Sequence, residues 1–355
     1  MTSLLAALVL SLTYGQPELV QRPGGDSPAA VVRIPSKVHR WIDWQSAPLE
    51  TRYRYVETSA GATALNQWQH KESVKGALKF DAAGRFTLQA FLGTGNGFGG
   101  SWDATGVGTG DPTWDFRVRR LFVQAIPVEG VELAAGSFDV LRGEATEIVS
   151  YDNDAFMEGY RVSIRRPAAL FFTDVSVTAG YLGDLTTPNV FRRFNRMGDH
   201  NYTQVLLDRK VAALLNVTFD WTSVSGVSTL REAVRLTTRQ WGHVADAVRV
   251  ELYQRVDDPD GAGVAFTAER ALSRRVSVTG GVADVDADNP PLNGDRYLRG
   301  TRFFGGTSIA LLPELTLAAF YTHAYGNDFA VANDQRFDAI LSFNVLKALQ
   351  RRGAW

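Results

Sequence analysis

From Arg52 to Leu346, apolar and polar side chains alternate in segments of roughly ten residues, the period of two that a half-wetted β-strand imposes. In the last segment Phe337, Ala339, Leu341, Phe343 and Val345 share one face, while Arg336, Asp338, Ile340, Ser342 and Asn344 fall on the other. The same division sets Val74, Gly76, Leu78 and Phe80 against Lys75, Ala77, Lys79 and Asp81, and Val248, Val250 and Leu252 against Arg249, Glu251, Tyr253 and Arg255. Helical periodicity is nearly absent.

The connections sort into two kinds. Tight turns at Ala82-Ala83-Gly84, Val128-Glu129-Gly130, Arg166-Pro167, Ser273-Arg274 and Leu312-Pro313-Glu314 alternate with long polar stretches at Gly93 to Trp114, Asp139 to Phe156, Gly183 to Tyr202, Asp257 to Gly261, Asp284 to Asp295 and Gly326 to Asp334. Short turns at one end and long loops at the other are the layout of a membrane barrel. The expected fold is therefore all-β, a transmembrane antiparallel β-barrel of about sixteen strands with short periplasmic turns and long external loops, its last strand ending near Leu346. A propeller would repeat a motif every 40 to 50 residues or so, and no such repeat exists.

Leu4 to Leu12 is the longest apolar run, far short of the ~20 residues a membrane-crossing helix needs. Followed by Thr13, Tyr14, Gly15 and Gln16, it reads as an export signal over residues 1–15. Residues 16–50 carry Pro17, Pro23, Pro28, Pro35 and Pro48 without a sustained period, and read as a lead-in or plug segment. Residues 51–355 are assigned to the barrel.

With 37 Lys+Arg against 38 Asp+Glu, the chain lacks the broad basic field that nucleic acid requires. It has no cysteine, so disulfides, thiol nucleophiles and thiolate metal sites are excluded. There is no G-x-S-x-G elbow and no H-E-x-x-H pair, and the five histidines are scattered; only His323 lies near the end of a well-patterned strand. The chain reads as not an enzyme.

The alternating segments, the turn and loop order and the C-terminal Trp355 resemble bacterial outer-membrane porins. Leu133 to Val162, with Ala135-Gly136-Ser137-Phe138, Asp152-Asn153-Asp154 and Gly159-Tyr160-Arg161, is similar in layout to alginate-export-type specialised porins. The resemblance implies a passive channel for small hydrophilic solutes, with membrane lipid around it and a homotrimer as its assembly. The alternative is a structural or adhesive barrel, its lumen plugged by residues 16–50 and its loops binding a partner.

If the wetted faces line the lumen, the basic pore-lining candidates are Lys75, Lys79, Arg85, Arg117, Arg119, Arg161, Arg165, Arg231, Arg235, Arg249, Arg255, Arg275 and Arg336. Fewer acids share those faces, among them Asp81, Glu132, Asp174, Asp220, Glu251, Glu269 and Asp338, so the wall should be positive and modestly favour anions. Arg119 and Arg120 are adjacent, which requires either a charge facing lipid or a bulge. Glu232 falls on an apolar face and is expected near a membrane interface, where a charge costs less. Tyr53, Tyr55, Phe171, Tyr181, Trp221, Tyr297 and Tyr321 suit interfacial girdles.

The run Gly93 to Gly100 has dinucleotide-like glycine spacing but no following helix, so it reads as a flexible or inward-folded external loop, with Asp103 and Asp111 as constriction candidates. Asp284, Asp286 and Asp288, with Asp295 beyond, alternate as oxygen ligands would, which makes calcium the candidate ion of an external loop; no other cofactor is expected. Arg192, Arg193 and Arg196 cluster in another loop, where lipopolysaccharide phosphates are the candidate partner.

Overall fold

The computed structural model describes residues 41–108, 111–146, 154–165, 171–183, 186–211, 214–238, 244–258, 260–286, 300–325 and 334–352. The strands are β1 (Ile42–Ser46), β2 (Pro48–Glu57), β3 (Thr63–Lys79), β4 (Phe86–Thr94), β5 (Asp103–Gly108), β6 (Phe116–Val128), β7 (Val131–Asp139), β8 (Phe156–Ile164) and β9 (Asp174–Tyr181). They continue as β10 (Tyr202–Val211), β11 (Leu215–Val224), β12 (Val227–Thr237), β13 (Ala247–Arg255), β14 (Ala262–Ala271), β15 (Val276–Val285), β16 (Gly300–Leu312), β17 (Leu315–Ala324) and β18 (Gln335–Asn344).

Sixteen of them close into an antiparallel barrel: β2, β3 and β4, then β6 through β18, with β18 returning to pair with β2. β1 and β5 patch the wall on either side of the long β3. Ile42 to Ser46 continues the line of β2 along residues 75–78, and β5 pairs with β3 at Gln67, Gln69 and His70, beyond the end of β4. Strand pairing thus begins at Ile42, inside the segment the sequence assigns to the lead-in. The assigned signal and most of that lead-in lie outside the described residues.

One rim carries the tight turns and the other the long loops. Two short connections also occupy the loop rim, Thr58 to Ala62 and Ser225-Gly226. Ser225 and Gly226 have φ of 51° and 89°, the left-handed pair that a two-residue hairpin requires.

The register carries a single inside and outside around the ring. Asp220, Arg231 and Tyr253 are cross-strand neighbours on the inward face; Trp221 and Leu230 sit one residue over, facing out. Exposed apolar side chains such as Leu133, Val177, Val250, Phe266, Val282 and Leu341 lie on the outward positions, and buried Arg, Gln, Thr and Asp on the inward ones. A soluble barrel would have the opposite polarity. Inside, three aromatic rings lie against cross-strand glycines: Tyr253 opposite Gly263, Phe304 opposite Gly281 and Phe320 opposite Gly306. At Gly281 an added Cβ would meet Phe304 Cζ at 2.6 Å, so only glycine lets that ring lie flat on the wall.

Two expectations are corrected here. Glu232 is the central residue of the eleven-residue β12, between Phe219 and Leu252 on the outward face, and so lies mid-strand rather than at an interface. The outward Leu230 and Val234 hold that register, because a one-residue slip would turn Arg231 and Arg235 to the outside. The last strand ends at Asn344, before Leu346. The Asn344 side chain accepts from the Lys347 N–H and caps the short helix α1 (Val345–Arg351), which Arg351 ties to Glu314 at 3.0 Å. Trp355, Tyr297, Asp288 and Asp295 lie outside the described residues.

Candidate pore lining and constriction

The inward-folded segment is residues 140–146, in the connection from β7 to β8. Leaving Asp139, it runs along the inner wall towards β13. The Leu141 carbonyl accepts from Gln204 Nε2 at 2.8 Å, the Glu144 N–H donates to Thr218 Oγ1 at 2.7 Å, Asn216 Nδ2 donates to Glu144 Oε1 at 3.0 Å, and the Thr146 N–H donates to Glu251 Oε2 at 2.8 Å. Gly143, with φ 56°, passes so close to Thr218 that a side chain would collide with it. The connection returns at Asp154, which accepts from Ser101 Oγ at 2.9 Å and pairs with Lys71 at 3.3 Å.

Asp103 and Asp111, the sequence's constriction candidates, do not occupy this position. Asp103 is buried and accepts the Gly95 N–H at 3.0 Å, and Asp111 is exposed on the return to β6. The Gly-rich run is not free to swing, because Arg119 binds it. Its guanidinium donates to the carbonyls of Thr94, Gly95, Gly97, Phe98 and Gly100, and the Cβ-free backbone lets them converge. Trp102 of the β4 to β6 connection does reach the lumen, where the Arg52 guanidinium lies over its ring, 4.0 Å from the centroid.

Arg119 is therefore corrected as a pore-lining candidate. The ladder shifts between Phe91 and Leu92 so that Arg120 pairs with Phe91 and Val118 with Leu92; Arg119 is the extra residue of a bulge, and neither arginine is left to face lipid. Arg85 and Arg275 are corrected as well. Both are exposed in turns, because their strands start one residue later, at Phe86 and Val276.

Lys75, Lys79, Arg161, Arg231, Arg235, Arg249, Arg255 and Arg336 stand on the inward register, with Arg165 just past the turn end of β8 and Arg117 at the loop end of β6. Most are tied to acids. Asp338 sits between Arg54 at 2.9 Å and Arg336 at 2.6 Å, Glu269 between Arg235 and Arg249 at 3.2 Å each, and Arg165 between Glu132 at 3.0 Å and Asp174 at 2.7 Å. Arg231 lies 3.6 Å from Asp220, and Lys79 4.0 Å from Asp43. Arg161 is bound by the Thr178 hydroxyl at 3.0 Å and the Asp139 carbonyl.

The sequence reading missed Arg52, Arg54, Lys71 and Arg302, all inward. Arg52 and Arg54 alternate with Tyr53 and Tyr55, so the period of two already marks them.

The loop arginines separate. Arg193 is buried against Glu158 at 2.9 Å and the Ser137 hydroxyl, Arg196 pairs with Asp199 at 2.8 Å, and Arg192 stays exposed beside a polar cavity of about 230 Å³ lined also by Arg117, Asp115, Asn96 and Asn189. Asp284, of the calcium candidates, accepts the Thr301 hydroxyl at 2.9 Å, and no group of three His, Asp or Glu suited to a metal occurs among the described residues.

No protein-family model matches the chain, and no curated protein matches it in sequence. Solved structures do match in shape. A mutant of the Rhodobacter blastica porin superposes with a TM-score of 0.55 at 11% identity, covering 85% of this chain and 99% of that one. OprB of Pseudomonas putida, in its low-pH structure, superposes with a TM-score of 0.52 at 9% identity, covering 86% and 93%. By fold, the chain is a sixteen-stranded barrel of the bacterial porin type.

Proposed function

We propose that the protein is a bacterial outer-membrane channel through which small hydrophilic solutes diffuse passively, with a modest preference for anions. The observation that carries this reading is the inverted polarity of a closed barrel: apolar side chains outside, and arginine, lysine, carboxylate and amide groups inside. Lipid must cover the first surface and water must wet the second. The fold shared with porins supports the same reading. The inner segment from Val140 to Thr146, held by hydrogen bonds to the three strands β10, β11 and β13, narrows the passage and supports size-limited diffusion.

The anion preference rests on how the wall charges are shared. A single carboxylate at Asp338 serves both Arg54 and Arg336, and Arg161 is held by neutral groups, so positive charge is in local excess at those two places. Lipopolysaccharide phosphate, as a loop partner, now rests on Arg192, since Arg193 and Arg196 are engaged within the protein.

The test is reconstitution of the full chain in planar bilayers. Stepwise conductance increments are expected, with reversal potentials across a salt gradient on the anion side. Folded protein that leaves the bilayer closed would refute the channel, and a cation preference at low salt would refute the charge argument.

A further inference from the structure

One histidine fastens the connection between β4 and β6 to the barrel wall. His70 sits on β3, 3% exposed, beneath the Trp114 indole with ring centroids 3.9 Å apart. Its Nδ1 lies 2.8 Å from Glu72 Oε2 and its Nε2 2.7 Å from the Thr113 carbonyl oxygen. Both partners are acceptors, whereas a neutral imidazole has a single N–H. Both contacts are satisfied only when the ring and carboxylate together hold one further proton, as imidazolium facing carboxylate or as a neutral ring accepting from a carboxylic acid.

We propose that His70, Glu72 and the Thr113 carbonyl form a proton-dependent latch, which holds Trp114 against β3 while that proton is bound and lets it swing away when the proton leaves, Thr113 staying tied to β5 through its N–H to the Ala104 carbonyl at 3.2 Å. Once it is lost, the remaining N–H stays with Glu72, because a charge-assisted hydrogen bond is about twice as strong as a neutral one. The Thr113 carbonyl then faces a ring lone pair in a buried site, and the contact turns repulsive.

The charged groups around the ring are Glu72 on its own strand, Asp103 opposite it on β5, and Asp115 on the return to β6, which pairs with Arg117 at 2.7 Å. Release would not open the barrel, since β5 keeps its backbone pairing with β3 and the Gly-rich run stays in the grip of Arg119. What moves is Trp114, whose ring is already largely exposed on its other face.

This inference goes beyond the channel reading, and its test needs no conductance. Tryptophan emission of the full-length, detergent-folded protein is followed from pH 5 to 8.5 as the difference between wild type and Trp114→Phe. A stacked imidazolium quenches indole, so the difference emission should rise in a one-proton step as pH is raised. His70→Gln should flatten the step, and Glu72→Gln should move its midpoint to lower pH by removing the anion that retains the proton. A flat wild-type curve, or a step that survives in His70→Gln, overturns the latch. Should His70→Gln fail to fold, Glu72→Gln decides alone, and an unmoved midpoint overturns it.

Discussion

Glu269→Gln tests the charge balance of the lumen with a near-isosteric change. The carboxylate lies 3.2 Å from both Arg235 and Arg249 and is 29% exposed, so water reaches it from the lumen. The amide removes one negative charge and leaves the two guanidinia in place, with Arg249 still 3.7 Å from Glu144. A permeating ion passing at ~6 Å feels about 0.7 kcal/mol from one unit charge at the dielectric of water. At 0.1 M salt, with a Debye length of ~10 Å, about 0.4 kcal/mol survives screening. Anions gain this and cations lose it, so the permeability ratio should shift by ~0.8 kcal/mol, about fourfold towards anions, since 1.4 kcal/mol is a factor of ten. At 1 M salt, with a Debye length of ~3 Å, the shift should shrink to roughly 1.4-fold. Reversal potentials in potassium chloride gradients at both ionic strengths measure it. An unchanged ratio at 0.1 M, or a shift towards cations, would show that this cluster does not face the conduction path.

Gly281→Ala should lower folding yield sharply, because the new methyl meets Phe304 Cζ at 2.6 Å and the Phe266 carbonyl; the folded fraction on unheated SDS gels reads this, and normal yield would refute the flat-ring packing. Glu232→Leu should raise the temperature at which the barrel unfolds in SDS, by an energy below the ~2–4 kcal/mol that a mid-bilayer arginine or lysine costs; a lowered temperature would mean that the carboxylate has a partner outside the chain. Burial alone would raise the Asp154 carboxyl, but Lys71, the Ser101 hydroxyl, Arg120 and Arg119 outweigh it and hold it below the ordinary carboxylate range. A depressed folded-state value means stability that is present above the unfolded value of about 3.9 and lost as pH falls below it. Wild type should therefore outlast Asp154→Asn by a constant margin from pH 7 to 5, and the margin should narrow below about pH 4; a margin that does not vary with pH would refute the ion pair. Arg119→Lys should expose the Gly93 to Gly100 run to protease, because an ammonium cannot span the five carbonyls the guanidinium binds, and unchanged digestion would place the restraint elsewhere.

The period of two, the sorting of turns from loops and the strand number of the barrel were all legible in the chain, because a wall one residue thick between lipid and water forces polarity to alternate with every side chain. That constraint is local, so Phe337 against Arg336, or Val250 against Arg249, could be assigned from neighbouring letters. The constriction was not legible. Whether a loop folds inward depends on partners far along the chain: Val140 to Thr146 meets Gln204, Thr218 and Glu251, on strands β10, β11 and β13, while the Gly-rich run is gripped by Arg119. The bulge that makes room for Arg119 and Arg120, the mid-strand depth of Glu232 and the pairing of His70 with the Thr113 carbonyl are likewise matters of register between strands. Alternation along one strand says which way a side chain points but not what stands opposite it, since register is set by cross-strand contacts that only the assembled sheet supplies.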